Sequence, residues 1–317
     1  MKYETLLDED VLDFVLATES HYPTGARTLL PDKQREIYNQ MCKAFSNGRP
    51  KGVVTKDQKI DGIPVRFYAA QASVDIEDHA SIIIYFHGGG YVVGNLESHD
   101  DVCADICCGT KLGVLAVDYR LAPEHKHPAM FEDAFTVIKY ILKNYNLTVI
   151  LCGDSAGGNL ACSITHASRT LESIYNRILG QVLIYPTLDS HPKKGSYIEH
   201  QFAPLLTRRD VCRFLKCRIG DKTENVIANL NPLDEKDFSN LPPTVVYTAD
   251  FDPLRDDGAN YCKALKDAGG KAVWINEIGL VHGFLRARHT TKKAKASFQS
   301  MLRAFVSLSK KCSNIET

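Results

Sequence analysis

Apolar residues in the first part of the chain recur at helical spacing among polar and charged positions. Within residues 1–45 this pattern predicts at least two helices, divided by Pro23 and Pro31. No strand pattern occurs there, so this segment is expected to form an accessory layer outside any sheet.

Two strand-like runs come next. Residues 53–60 and 63–70 are expected to pair as a hairpin, because Asp61 and Gly62 between them favour a tight turn. Pro64 lacks a backbone N–H, which predicts an edge position for the second strand.

Short apolar runs then alternate with segments of helical spacing over most of the remaining chain. The run at 81–86 is apolar throughout, as in a strand buried on both faces. Such alternation predicts an α/β fold with a mostly parallel sheet flanked by helices. Further strands are expected at 113–118, 148–152, 180–186, 244–248 and 272–277, and helices at 98–110, 128–145, 155–170, 256–268 and 291–309.

Residues 187–241 interrupt this alternation. They contain Pro192, Pro204 and Pro232 and one predicted helix, at 207–217. An insertion of this length between strands is usually functional or covers another part of the fold.

Composition and charge exclude several classes of function. The chain has 317 residues with 38 basic and 38 acidic side chains, and the resulting zero formal charge argues against a nucleic-acid partner. The acidic N-terminus lacks the apolar core of a signal peptide, and no run approaches the ~20 apolar residues of a membrane span. We therefore expect a cytoplasmic protein with no membrane partner and reduced cysteines. No His and Cys cluster predicts a metal, and the sequence allows a homodimer.

The sequence Gly153-Asp154-Ser155-Ala156-Gly157 lies where a predicted strand turns into a predicted helix. Such a turn brings the backbone on its two sides into near contact, which glycine at both ends allows. It also raises the Ser155 hydroxyl above the sheet at a helix N-terminus, where unpaired N–H groups favour negative charge. This is the geometry of a nucleophile elbow, so Ser155 is the candidate catalytic nucleophile.

An elbow serine needs a histidine base and an acid, usually in the chain order serine, acid, histidine. Of the histidines after Ser155, His282 follows the last predicted strand, at the same edge of the sheet as the elbow. The preceding strand ends in Asp250 and Asp252, which would point the same way in an extended chain. Asp252 is favoured because it lies further beyond the strand and precedes Pro253, while Asp250 stays the alternative.

A glycine-rich loop, His87-Gly88-Gly89-Gly90-Tyr91, follows the third predicted strand. Three successive glycines cost backbone entropy, but they let main-chain N–H groups approach a ligand oxygen closely. We expect the amides of Gly88, Gly89 and Ala156 to form an oxyanion hole. His87 is expected to hydrogen-bond at the base of this loop and not to act as a second base.

Five motifs in this order resemble the hormone-sensitive-lipase-like esterases, and within them the bacterial group with the G-D-S-A-G elbow, which includes acetyl esterases. The resemblance extends over about residues 50–310 and implies an α/β-hydrolase fold. The motifs are His87–Tyr91 with Gly94, Asp118–Glu124, Gly153–Asn159, Asp252–Asp256 and His282–Phe284.

The same resemblance implies a catalytic domain at 46–317 under a cap made of residues 1–45 and 187–241. It also favours Asp252 over Asp250 as the acid. The activity it implies is hydrolysis of short-chain carboxylic esters, acetyl to hexanoyl, through an acyl-enzyme. This chemistry requires no metal or organic cofactor.

Residues that contact the substrate are predicted from the insertion and from the flanks of the motifs. The candidate substrate-binding residues are Tyr91, Asp154, Phe202, Leu205, Leu206 and Phe284.

Two other functions stay open at this point. One is an amidase or peptidase with the same triad. The other is a non-catalytic receptor on this fold, as in the plant gibberellin receptors, which lack the histidine.

Overall fold

The fold is given by a computed structural model. Pro23, one of the two predicted breaks between N-terminal helices, lies outside the residues that this structure describes. The described residues are 3–22, 25–70, 73–189, 191–220 and 229–310.

One sheet of eight strands organises the described residues. Its order is β1-β2-β4-β3-β5-β6-β7-β8, and all neighbours run parallel except the two pairs that involve β2. The predicted α/β class with a mostly parallel sheet is confirmed. The strands are β1 (Val54–Ile60), β2 (Ile63–Ala69), β3 (Ser81–Phe86), β4 (Gly113–Val117), β5 (Thr148–Asp154), β6 (Ile178–Ile184), β7 (Thr244–Phe251) and β8 (Ala272–Val281).

Helices cover both faces of this sheet, and each predicted helix has a counterpart within a few residues of its expected bounds. The N-terminal segment forms two helices, and Pro31 opens the second of them, where its missing N–H breaks no helical bond. The helices are α1 (Glu9–His21), α2 (Pro31–Ala44), α3 (Asp100–Thr110), α4 (Ala129–Asn144), α5 (Ala156–Ser168), α6 (Glu172–Tyr175), α7 (Ser196–Glu199), α8 (Arg208–Ile219), α9 (Arg255–Asp267) and α10 (Lys292–Ser309).

The core consists of two apolar layers, one on each side of the sheet. Successive residues of a strand point to opposite faces. In β3, Ile82 and Ile84 therefore join the layer that contains α2, α4, α5 and α9, while Ile83 and Tyr85 join the layer that contains α1, α3 and α10. Burial on both faces explains why β3 is apolar throughout.

The predicted hairpin of β1 and β2 is confirmed, but the edge position predicted for β2 is wrong. β1 forms the edge, and β2 lies between β1 and β4. The pairing of β2 with β4 begins at Val65, opposite Val117. Because Pro64 lies one residue outside this ladder, no bond between β2 and β4 depends on its missing N–H.

The 187–241 insertion contains α8, whose first turn is closed by a capping box. Thr207 Oγ1 accepts a bond from the Asp210 amide at 3.2 Å, and Asp210 Oδ2 accepts one from the Thr207 amide at 3.0 Å. Arg27 donates to Asp210 Oδ2 at 2.6 Å and to the Leu205 carbonyl at 2.9 Å. The N-terminal segment and the insertion are therefore joined by a charged contact.

Neither a membrane span nor a disulfide occurs in the part of the chain that the structure describes. None of its helices combines the length and the apolar character needed to cross a bilayer. The cysteines in these ranges are free thiols.

Arg288 fixes the turn that follows His282. This arginine is 2% exposed and belongs to the 3₁₀ helix Phe284–His289. Its guanidinium donates to Asp101 and, at 2.8 Å, to Asp105, both on α3. A buried arginine that binds two carboxylates in this way holds the turn against the body of the protein.

We predict that Arg288→Met lowers the free energy of unfolding by about 3–5 kcal/mol, because it leaves two carboxylates at a buried site without their cation. Urea unfolding followed by circular dichroism measures this change. Lys263→Met is the matched control, because Lys263 forms an exposed pair with Asp267 and should change stability by less than about 1 kcal/mol. Equal effects of the two substitutions would contradict the role assigned to Arg288.

Candidate active site

Ser155 stands in a sharp turn between β5 and α5. Its backbone has φ 53° and ψ −115°, a conformation that non-glycine residues rarely adopt. A Cβ on Gly153 would lie 2.3 Å from the carbonyl carbon of Gly157, and a Cβ on Gly157 would lie 1.9 Å from the Phe86 carbonyl oxygen. Only glycine fits at either position, so the turn has the form of a nucleophile elbow.

A hydrogen-bonded chain joins Ser155 to two residues that are distant in sequence. His282 Nε2 lies 3.0 Å from Ser155 Oγ, and His282 Nδ1 lies 2.7 Å from Asp252 Oδ2. Asp252 is fully buried, and its other oxygen accepts the Leu254 amide at 2.9 Å. In a neutral imidazole whose Nδ1–H donates to Asp252, Nε2 is free to accept the serine proton.

Asp250 is turned away from this chain. One of its carboxylate oxygens accepts the Gly279 amide at 3.1 Å, and the other accepts the Asn276 side-chain amide at 3.2 Å. The register between β7 and β8 shifts between Ala249 and Phe251. Simple alternation along an extended strand does not hold across such an irregularity, so the two aspartates face different partners.

The glycine loop after β3 borders the serine, but the amide of Gly88 is already occupied. Gly88 N–H donates to Asp154 Oδ1 at 2.8 Å, and Gly88 does not line the cavity around Ser155. The prediction that Gly88 contributes an oxyanion donor is therefore wrong, since a carboxylate satisfies its N–H. Gly89, Gly90 and Ala156 do line the cavity, and the two glycines have φ values of 117° and 62°.

Asp154 holds this loop in place through the bond between its carboxylate and the Gly88 amide. Its carboxylate also accepts the Tyr85 hydroxyl at 2.8 Å and lies 3.3 Å from His99 Nε2. Burial by itself would raise the pKa of the Asp154 carboxyl, but the His99 ring and the Tyr85 hydroxyl lower this pKa to about 2. Asp154 borders the cavity, yet its oxygens are engaged with the loop and the core.

His87 supports the other side of the loop, as its sequence position predicts. Its Nδ1 lies 2.8 Å from the Gly88 carbonyl oxygen, and its ring stacks on Tyr119 with centroids 4.3 Å apart. Burial lowers the pKa of His87 to about 3, so the ring is neutral near pH 7. A neutral, stacked ring suits a structural role.

A cavity of about 730 Å³ opens above Ser155 and His282. Five of the six predicted substrate-binding residues border it, namely Tyr91, Asp154, Phe202, Leu205 and Leu206, and Phe202 is 77% exposed. The prediction for Phe284 is wrong. This residue is 1% exposed, does not border the cavity and packs edge-on against Tyr185 with centroids 5.0 Å apart.

Several residues of the cavity wall were missed by sequence reasoning. The Tyr185 ring lies 4.7 Å from the His282 ring, and Arg218 lies 4.0 Å above the Tyr91 ring. Tyr185 could have been found, because it follows β6 directly and so comes to the same sheet edge as the elbow. No pattern in the sequence marks Arg218, whose place depends on how the insertion packs.

Two clusters among the described residues have the donors of a cation site. Arg288 ion-pairs with both carboxylates of the first, so a metal there would compete with a buried guanidinium. The second is partly exposed. Neither contains Ser155, Asp252 or His282, and neither enters the chemistry proposed below. The clusters are Asp101, Asp105 and His289, and Asp189, His191 and Asp234.

Comparison with known proteins agrees with this fold. The family model described as alpha/beta hydrolase fold matches residues 83–286, which include the glycine loop, the elbow, Asp252 and His282. The chain belongs to the alpha/beta-hydrolase family. Its motifs place it in the hormone-sensitive-lipase-like branch, and the resemblance expected from the sequence is confirmed.

Relatives in this family carry the names of esterases. Carboxylesterase NlhH of Mycobacterium tuberculosis is 34% identical over 70% of this chain and 71% of its own length. The arylesterase of Saccharolobus solfataricus is 27% identical over 94% of this chain and 98% of its own. A hyperthermophilic esterase from Pyrobaculum calidifontis superposes with a TM-score of 0.84 at 29% identity, covering 95% and 98% of the two chains. The chain is a carboxylic ester hydrolase by this relationship.

We predict that Gly157→Ala lowers the free energy of unfolding by at least about 3 kcal/mol or prevents folding, since the added methyl group meets backbone that cannot move aside. Urea unfolding measures the effect. Gly270→Ala serves as the control, because the added Cβ would come no closer than 3.0 Å to its nearest neighbour, the Leu265 carbonyl oxygen. The φ of Gly270 also lies outside the left-handed region. A Gly157→Ala protein as stable as the control would contradict the tight turn.

Proposed function

We propose that the protein is a serine esterase that cleaves short-chain carboxylic esters through an acyl-enzyme. The observation that carries this proposal is the chain of contacts from Asp252 through His282 to Ser155, at 2.7 and 3.0 Å, on the floor of a cavity. The nucleophile lies within hydrogen-bond distance of the base, and the base lies within hydrogen-bond distance of the orienting acid, which is the arrangement that acyl transfer requires.

In the first half of the reaction, Ser155 Oγ attacks the ester carbonyl carbon while its proton passes to His282 Nε2. Asp252 holds the imidazole through Nδ1 and stabilises the positive charge that develops on it. The tetrahedral intermediate then collapses, and His282 gives the proton to the departing alkoxide, so that an alcohol leaves and an acyl-enzyme remains.

In the second half, water attacks the acyl carbon and its proton passes to His282. Collapse of the second intermediate releases the carboxylic acid and returns the proton to Ser155 Oγ, which restores the enzyme. The group transferred to water is the acyl group, and no metal or organic cofactor takes part in either half.

The developing oxyanion is stabilised by the amides of Gly89, Gly90 and Ala156 in this proposal. Among the described residues these three N–H groups have no protein acceptor, and all three residues border the cavity. Gly90 replaces Gly88, whose amide is bound to Asp154. Fixed backbone donors of this kind need no reorganisation when charge appears, and removal of a single oxyanion donor from a serine protease costs about 2.7–4 kcal/mol.

Substrate size follows from the cap that we propose, formed by residues 1–45 and 187–241 over a catalytic domain at 46–317. The contact of Arg27 with Asp210 supports it, because this contact joins both segments beside the cavity. Acyl groups from acetyl to hexanoyl are the proposed substrates, with Leu205, Leu206 and Phe202 on the wall. A cytoplasmic location and a homodimer stay predictions from the sequence.

We predict that Ser155→Ala lowers kcat/KM for p-nitrophenyl esters by about 10⁴- to 10⁶-fold while the protein stays folded, because the nucleophile is removed and the cavity is kept. The assay uses esters of increasing acyl length together with matched amides, which separates esterase from amidase activity. Circular dichroism checks the fold.

Ser163→Ala is the matched control, because Ser163 is a buried serine on the same helix and lies outside the proposed machinery. It should change kcat/KM by less than about threefold. Near-native turnover by Ser155→Ala would remove Ser155 from its role, and faster cleavage of decanoyl than of butyryl esters would contradict the proposed chain length.

A further inference from the structure

Three arginines border the cavity, and they differ in their partners. Arg27 forms an ion pair with Asp210 at 2.6 Å. Among the described residues, neither Arg218 nor Arg286 has a carboxylate partner. A cation at a largely buried site is costly unless an acceptor compensates it, so the surroundings of these two arginines decide what each can do.

Both terminal nitrogens of Arg218 are hydrogen-bonded within the protein. Its guanidinium donates to the Leu230 carbonyl at 3.2 Å and to Asn159 Oδ1 at 3.1 Å, and it stacks over the Tyr91 ring. These contacts connect α8 of the insertion with α5 and with the glycine loop. Arg218 therefore has a structural function at the wall of the cavity.

Arg286 has no such hydrogen bonds from its guanidinium among the described residues. It lies four residues after His282, in the turn that leaves the triad, and its guanidinium packs directly on Gly283, where an added Cβ would come within 2.6 Å of Nη2. Its Nε is buried without a hydrogen-bond partner. Within the described ranges, neither of its terminal nitrogens has an acceptor on the protein.

Against the effect of its burial, four groups raise the pKa of Arg286, namely Tyr38, Cys42, Tyr185 and the Asp154 carboxylate. Asp154 forms no ion pair with Arg286 among the described residues, and the other three groups are neutral near pH 7. Burial raises the pKa of Tyr38 and of Tyr185 well above the usual value for a phenol, and it raises the pKa of the Cys42 thiol to about 12. The Phe14 ring lies 5.9 Å from the guanidinium carbon. The arginine thus faces the cavity from a wall of aromatic rings and one thiol.

The acidic residues that border the cavity are not partners of Arg286 either. Asp154 is bound to Gly88 N–H and to the Tyr85 hydroxyl, and Asp189 accepts from His191. Glu4 and Glu19 are exposed at the cavity wall. None of these carboxylates forms an ion pair with Arg286, so its charge is available to a ligand.

We propose that the cavity receives esters that carry a carboxylate a few bonds from the ester group, and that Arg286 binds this carboxylate. The inference rests on the proposed esterase function and names its substrate class. Guanidinium presents parallel N–H groups that match a carboxylate, and the low polarity around Arg286 strengthens such a bond. Arg286, Gly283, His282 and Ser155 border one cavity, so the arginine and the nucleophile face the same space.

Two pairs of esters of matched length test this proposal. In the first pair, monomethyl glutarate carries the carboxylate on its acyl side and methyl hexanoate is its neutral counterpart. In the second pair, 4-acetoxybutanoate carries the carboxylate on its alcohol side and pentyl acetate is its neutral counterpart. We expect the wild-type protein to favour the charged member of one pair, measured as kcat/KM by titration of released acid at constant pH.

In Arg286→Gln the ratio of kcat/KM for charged and neutral esters should fall by about 10- to 100-fold in that pair, the loss of a charge-assisted hydrogen bond. Arg286→Lys, which keeps the positive charge but lacks the parallel N–H groups of the guanidinium, should give an intermediate ratio. Circular dichroism and the thermal midpoint check that both variants fold. An unchanged ratio in Arg286→Gln, or a preference of the wild type for the neutral member of both pairs, would overturn the proposal.

Binding provides a readout that does not depend on turnover. Monomethyl glutarate or 4-acetoxybutanoate, titrated calorimetrically into Ser155→Ala, should bind at least about tenfold more tightly than into Ser155→Ala with Arg286→Gln. Equal affinity would overturn the role of Arg286 even if no ester is turned over. Failure of the wild type to cleave any of the four esters, with Arg286-dependent binding intact, would instead overturn the esterase proposal alone.

Discussion

The close approach of three backbone segments beneath Ser155 is the constraint on which the site depends. Gly157 packs against the Phe86 carbonyl and Gly153 packs against Gly157, with no room for a Cβ at either glycine. This contact presses the start of α5 against the end of β3, so the serine and the glycine loop are fixed relative to each other. The strained φ of Ser155 is held by that packing.

The sheet brings the remaining groups to the same place. β3, β5, β7 and β8 run parallel, so their carboxyl ends lie at one edge, where the glycine loop, Ser155, Asp252 and His282 follow them. Around this edge, buried charges act as braces. Asp154 holds the loop through Gly88, and Arg288 holds the turn that follows His282. The polar interior thus positions the atoms that the proposed reaction uses.

Much of this arrangement could be predicted from the sequence, because it follows from periodicity and from the parallel direction of the predicted strands. The fold class, the hairpin and the elbow with its two glycines are of this kind. The parallel direction of the predicted strands also brings Ser155 and His282 to one edge of the sheet before any coordinates are considered. The family resemblance adds weight to the same residues, and the family is confirmed.

The errors arise where local backbone geometry decides which group points where. Whether Gly88 or Gly90 faces the cavity depends on the loop torsions and on the carboxylate of Asp154, and neither is visible as a pattern. Alternation places Asp250 and Asp252 on the same side of an extended strand, and the register shift between Ala249 and Phe251, which gives them different partners, is not visible in the sequence. Phe284 lies beside the catalytic motif but points into the core, while Arg286, two residues later, reaches the cavity.

The most direct test of the account is a crystal structure of the protein after reaction with a short alkyl phosphonate ester. We predict phosphorus bonded to Ser155 Oγ, with the phosphoryl oxygen about 2.7–3.1 Å from the amides of Gly89, Gly90 and Ala156. His282 should stay within hydrogen-bond distance of Asp252. An adduct on another residue, or a phosphoryl oxygen directed away from these amides, would contradict it.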